Sequence, residues 1–149
     1  MVTNRLTNYM ENNNLFNKYQ CGFRKGHSTT DHIIRLKNEA EHSISSGNIT
    51  VAIFLDFTRA FDLLWKDGLI LKLMKLQIKG NSLKWISNFL SDRFSQVKID
   101  SGLSHPFVFE NGTPQGSVLS PILFLVMIND FPNLSEFSRS ALFADDSTI

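Results

Sequence analysis

Apolar positions recur along this chain at two spacings, one helical and one alternating or continuous, and together they divide it into helices and short strands. Val2, Leu6, Tyr9 and Met10 share a helical spacing, so a docking helix is predicted over Val2 to Met10, ahead of the polar Glu11-Asn12-Asn13-Asn14. Ser28 followed by Asp31 has the form of a capping box. It opens a second helix with Ile33, Leu36, Ala40 and Ile44 on one face, stopped by Gly47. Val51 to Leu55 is then a continuous apolar run, rich in β-branched and aromatic residues, which predicts a strand buried on both faces. Leu69, Leu73 and Leu76 with Ile70 and Met74 line one side of a helix over Asp67 to Lys79. Lys72, Lys75 and Lys79 take the other side, and Gly80 ends it. Asn81 or Ser82 caps a further helix that turns Leu83, Ile86, Phe89 and Leu90 inward beside Trp85, and the two helices are expected to pack on one face of a sheet.

Alternation returns at Val97 and Ile99, which predicts two strands, Phe94 to Asp100 and Leu103 to Phe109, joined by a Ser101-Gly102 turn. Pro106 marks the second as an edge or bulged strand. After the glycine-rich Asn111 to Pro121, with Ser120 as cap and Pro121 in first position, Ile122 to Asn129 is apolar nearly all round and reads as a core helix. A last apolar stretch, Ala141 to Ala144, ends in Asp145 and Asp146. The expected fold class is α+β: an antiparallel sheet in which the Val51 and Ala141 strands are neighbours, with helices on one face.

Composition narrows this to one domain, since 149 residues that are 42% hydrophobic suffice for a single core. The net charge is only +1, but residues 1 to 100 carry fourteen of the fifteen Lys and Arg. Residues 101 to 149 carry Arg139 alone against Glu110, Asp130, Glu136, Asp145 and Asp146. A basic body beside an acidic pocket suits a nucleic acid held over bound cations, although solvated surface charge gives the same pattern. The single cysteine, Cys21, excludes an internal disulfide and a multi-cysteine zinc site, and makes a reducing compartment the default. The first residues lack the apolar core of a signal peptide, and the longest apolar run, Ile122 to Ile128, is too short to span a bilayer. A soluble, intracellular protein without a membrane partner is expected. His27 and His32 flank the predicted cap; as metal ligands they would need further His or Cys partners at fixed geometry, which the spacing of the nearby sequence does not offer, so both read as ordinary polar residues.

The candidate chemistry lies where apolar runs end in acids. A carboxylate at the end of a buried strand is costly to desolvate unless something pairs with it. Asp56, after Val51 to Leu55, would serve as the N-cap of a helix over Phe57 to Leu64 or as a metal ligand. The second acid-ended stretch favours the ligand. Mg²⁺ takes oxygen ligands, commonly one or two carboxylates plus phosphate oxygens. Two such ions about 3.5–4 Å apart clamp the attacking and leaving oxygens of a phosphoryl transfer. Asp56 and Asp145 are the candidate ligands, with Asp146 a third that needs a tight turn, because neighbours in a strand point opposite ways. Leu15 to Thr30, with its aromatics, glycines and Lys18, Arg24 and Lys25, suits a structured loop against phosphates. An aspartyl-nucleophile phosphohydrolase would expect an Asp at position 58, which is Thr58 here.

FLDFTRAFD, GTPQGSVLSPILF and FADD resemble the three palm motifs of reverse transcriptases, and QCGFRKGHSTTDH with LSDRFSQVKI resembles most closely those of non-LTR, LINE-type retrotransposons. The resemblance covers essentially the whole chain. It implies a single partial reverse transcriptase domain, with residues 1–48 on the fingers side and 49–149 in the palm. The implied activity is RNA-directed DNA polymerisation, transferring a nucleotide from a dNTP to a DNA primer on an RNA template during retrotransposition. Asp56, Asp145 and Asp146 would be catalytic and serve two Mg²⁺ ions, Mn²⁺ being an alternative, with Phe57 contributing its metal-proximal backbone. Phe61 would screen the sugar 2′ position. Gln115 and Gly116 would lie against the incoming nucleotide, and Pro114, Gln115 and Arg24 against the template. A family member begins well before this chain with basic fingers strands and continues into a thumb, so a fragment of a larger polyprotein is expected, acting in nucleus and cytoplasm. The alternative is a decayed or truncated, non-catalytic palm fragment with at most weak RNA binding.

Overall fold

The computed structural model describes residues 1–131 and 140–149, so the last acidic stretch is seen from Ser140 onward, and Ser138, Arg139 and Glu136 lie outside the described residues. Five helices and seven short strands are described, in the order α1 (Val2–Asn12), α2 (Thr29–Ser45), β1 (Phe54–Leu55), α3 (Lys66–Lys75), α4 (Gly80–Leu90), β2 (Arg93–Ser95), β3 (Lys98–Ile99), β4 (Gly102–Leu103), β5 (Phe107–Phe109), α5 (Ser120–Met127), β6 (Ala141–Phe143) and β7 (Asp146–Thr148). The class is α+β.

The core is helical and centred on α5, whose residues Ile122 to Val126 are all buried, as the all-round apolar pattern predicts. α3 packs against α5 and α4, and α1 reaches α5. Leu69, Leu73 and Leu123 are fully buried there. At about 1.5–3 kcal/mol for each such side chain, this cluster rather than the sheet supplies most of the apolar stabilisation. The expectation that α3 and α4 pack on a sheet face is therefore corrected: the all-apolar α5 offers α3 more surface than three short strands, and α4 packs on α3. α3 stops at Lys75, before Gly80, and α4 begins after Lys79, not after Asn81 or Ser82. Ser120 does not cap α5; Leu119 holds that position, and the Ser120 hydroxyl donates to the Pro114 carbonyl at 2.7 Å.

The principal sheet has the order β1-β7-β6, all antiparallel. The strands of Val51 and Ala141 are thus not neighbours. The chain after Ala144 turns back as β7 and takes the place between them, because a tight two-residue turn is the shortest route for an antiparallel strand. Nor is the Val51 run buried on both faces. Val51 is 74% exposed and Phe54 71%, since β1 is an edge strand and α2 lies across β6. The apolar side of α2 is equally open, Ile33 and Ile44 being exposed although the predicted capping box forms, with the Ser28 N–H donating to Asp31 at 2.7 Å.

The two predicted strands around residue 100 form one hairpin broken into two ladders, β2 with β5 and β3 with β4. Its turn is Asp100-Ser101, one residue earlier than expected, with Asp100 at φ 50. The break spans Ser104 to Pro106, where proline cannot donate to a ladder. Among the described residues no helix is long and apolar enough to cross a membrane.

Candidate active site

Asp56 owes its position to the short β1–β7 ladder. Leu55 is paired with Ser147, and one further step of that register sets Asp56 alongside Asp146. Asp145 occupies the turn between β6 and β7, where Phe143 pairs with Asp146. All three acids therefore stand at one end of one sheet. The tight turn needed to bring Asp146 in beside Asp145 is present. Among the described residues no hydrogen bond or ion pair holds any of the three carboxylates. Their oxygens do not all lie within 4.8 Å of one another. Three carboxylates gathered at one edge suit divalent cations with oxygen ligands. Phe57 follows Asp56 and buries its ring edge-on against Phe124 and Phe131. Phe57 to Leu64 forms successive turns, with Arg59 at φ 51, instead of a helix, so Asp56 has no helix to cap.

The acidic turn is held from below by a residue that the sequence did not single out. Gln20 is 2% exposed, and its Oε1 accepts the N–H of Ala144 at 2.9 Å and of Gly22 at 2.7 Å. Its Nε2 donates to the Ala144 carbonyl at 3.3 Å. Ala144 has φ 56, a left-handed conformation that costs an L-residue on the order of 1–2 kcal/mol. The Gln20 amide offsets that cost with hydrogen bonds in a buried place. Gly22 passes so close that a Cβ there would lie 2.1 Å from the Ala144 nitrogen. Cys21 N–H donates to the Leu142 carbonyl, and Leu142 N–H to that of Tyr19, so this loop runs as a short parallel partner of β6. His32 adds a 2.6 Å contact between Nε2 and the Leu142 carbonyl, with its ring edge-on to Phe143. Burial pushes His32 below its ordinary value, which favours the neutral ring. The signal available in the sequence was one glutamine in a loop otherwise rich in aromatic and basic side chains.

A second turn is fastened to the segment that follows Asp56. Gly112 N–H donates to the Leu64 carbonyl and Thr113 N–H to that of Phe61, both at 2.8 Å. Gly112 has φ 88 and approaches Asp62 so closely that a Cβ would sit 2.5 Å from its carbonyl oxygen. The Gln115 side chain donates to the Asp62 carboxylate at 2.7 Å. Gln115 and Gly116 are exposed and Pro114 half-buried. Phe61 is half-buried, lying on Phe124 at 5.0 Å between centroids and edge-on to Phe23 at 6.5 Å. It thus lies at the border of the core.

Arg24 points inward. Its guanidinium grips Glu11 with two bonds of 3.0 and 2.7 Å, donates to the Asn17 and Gln20 carbonyls, and covers the Phe16 ring. The bond from Arg24 holds the Glu11 carboxyl below its usual range. Arg24 therefore ties the loop bearing Gln20 to α1.

The whole chain, residues 1–149, matches the family model described as reverse transcriptase (RNA-dependent DNA polymerase). It is 36% identical over 156 aligned positions to the "Probable RNA-directed DNA polymerase from transposon BS" of Drosophila melanogaster. It is 31% identical over 156 positions to the "RNA-directed DNA polymerase from mobile element jockey" of the same species. Each alignment takes in 100% of this chain and 17% of the relative. The jockey polymerase of Drosophila funebris is 32% identical over 89% of this chain and 14% of its own length.

Proposed function

Because the chain belongs to the reverse transcriptase (RNA-dependent DNA polymerase) family, we propose that it forms the palm, with part of the fingers, of a non-LTR retrotransposon enzyme that extends a DNA primer on an RNA template. The observation that carries this is the β1–β7 register, which sets Asp56 beside the Asp145-Asp146 turn at one end of one sheet.

In this reading Asp56 and Asp145, with Asp146 as a third acid, would hold the Mg²⁺ or Mn²⁺ ions, which would supply charge neutralisation for the phosphoryl oxygens and a more acidic primer hydroxyl. The chain's own residues do the positioning. Gln20 and His32 fix the β6–β7 hairpin against the loop, so the Asp145 turn is aimed before substrate arrives. The Pro114-Gln115-Gly116 turn, fastened to Asp62, lines the seat of the nucleotide and template base, and Phe61 closes the side that faces the sugar. Arg24 contributes by shaping the template-side loop, its donors being bound to Glu11 and backbone carbonyls.

The test is primer extension on an RNA template by a full-length polypeptide that carries this chain. Asp56→Asn and Asp145→Asn should each lower the rate by at least about 100-fold with folding intact. Retention of RNA binding with no extension even in the wild type would favour the non-catalytic alternative.

A further inference from the structure

Three side chains outside that site converge at the start of α2. We propose that Cys21, His27 and Asp31 bind a single divalent cation of the zinc class, with water completing the shell. One ligand atom from each lies within 4.8 Å of the others, and His27 Nδ1 is 3.9 Å from Asp31 Oδ2. A tetrahedral zinc with sulfur, nitrogen and oxygen ligands at about 2.0–2.3 Å sets them about 3.5 Å apart, so a small contraction closes the shell. The rigidity is distributed as such a site needs. Cys21 is buried and pinned through its N–H to the Leu142 carbonyl, while the His27 and Asp31 side chains are partly exposed and can swing inward. The same three residues line one pocket of 400 Å³, bounded further by Ile34 and Arg35, which leaves an entry for the ion and its water. A thiolate and a carboxylate together neutralise a 2+ charge.

Ligand type separates this site from the aspartates at the sheet end. An all-oxygen set suits Mg²⁺ or Mn²⁺, whereas a thiolate with an imidazole selects zinc and its chemical relatives. Sequence spacing concealed the cluster, because it has one cysteine and one histidine and the third ligand also serves a capping box. Occupancy would fasten the start of α2 to the loop whose preceding residue, Gln20, holds Ala144, and so stiffen the turn that carries Asp145.

Cobalt(II) is the probe, titrated into the chain in excess Mg²⁺. The expected result is a thiolate-to-cobalt charge-transfer band that saturates at one ion per chain and is abolished by added Zn²⁺. Cys21→Ser should eliminate the band, and the partly exposed His27→Gln, which leaves the core untouched, should weaken binding at least about 10-fold. Asp56→Asn should leave it unchanged. Amide exchange at residues 144 to 146 should slow on adding Zn²⁺ in the wild type but not in Cys21→Ser. A wild-type chain that gives no band, or a His27→Gln variant with unaltered affinity, overturns the proposal irrespective of how the polymerase reading fares.

Discussion

The side-chain amide of Gln20 brackets the peptide of Ala144, accepting from its N–H at 2.9 Å and donating to its carbonyl at 3.3 Å. A residue 124 positions away in sequence thus fixes the turn that presents Asp145. Replacing it with alanine strands buried donors on Ala144 and Gly22, at about 1–3 kcal/mol for an unsatisfied group. Gln20→Ala should therefore lower stability by about 2–3 kcal/mol in urea unfolding. In a full-length polypeptide it should cut the extension rate about 10-fold or more with little change in KM, because a misaimed catalytic group is costly in rate. An unaltered rate would reduce Gln20 to a purely structural residue.

The Glu11–Arg24 pair gives a pH signature with a definite sign. The Arg24 bond holds Glu11 below its ordinary 4.5, so the folded state binds its proton less readily than the unfolded chain. The stabilisation is fully present above about pH 5, and it is lost as pH falls through the depressed folded value. Glu11→Gln should lower stability at neutral pH by about 1 kcal/mol, and the gap to wild type should close in acid. Urea midpoints measured from pH 3 to 7 check this, and parallel curves would count against it.

Mg²⁺ should raise the melting temperature of the wild-type chain by binding the folded state at Asp56, Asp145 and Asp146. At ten times the dissociation constant the gain is about 1.4 kcal/mol. Asp145→Asn should shrink that shift in differential scanning fluorimetry. Equal shifts in both proteins would remove the aspartates from the metal site.

Gly112 is the residue whose loss should be felt most in the second turn. Its φ of 88 and the 2.5 Å approach of a would-be Cβ to the Asp62 carbonyl leave no room for alanine. Gly112→Ala should cost about 2–4 kcal/mol, on the scale of left-handed strain plus a displaced backbone. A melting temperature within a degree of wild type would show that the turn is free to move.

Phe61 tests the substrate. Forcing a 2′-hydroxyl against a packed ring costs about 1–3 kcal/mol, which corresponds to roughly 5- to 150-fold discrimination. In a full-length polypeptide, Phe61→Ala should raise relative ribonucleotide use by about that factor. Phe61→Leu should keep more of the packing on Phe124 and raise it less. An unchanged ratio in a variant that still extends with deoxynucleotides would make Phe61 a core residue alone.

The sequence by itself determined the family, the core segment of α5 and the start of α2. The chemistry lies in short contiguous motifs, and an all-apolar segment such as Ile122 to Val126 has nowhere to go but the core. The capping box at Ser28 and Asp31 was equally legible, because both partners sit within one turn. Only the tertiary structure decided what depends on distant partners. It placed β7 between the strands of Val51 and Ala141, and left Val51 and Phe54 uncovered at an edge. It also turned Arg24 inward to Glu11, set Gln20 beneath Ala144, and gathered Cys21 with His27 and Asp31. Periodicity states which face of an element is apolar, but not which neighbour covers it, and a buried hydrogen bond across 124 residues leaves no local spacing to read.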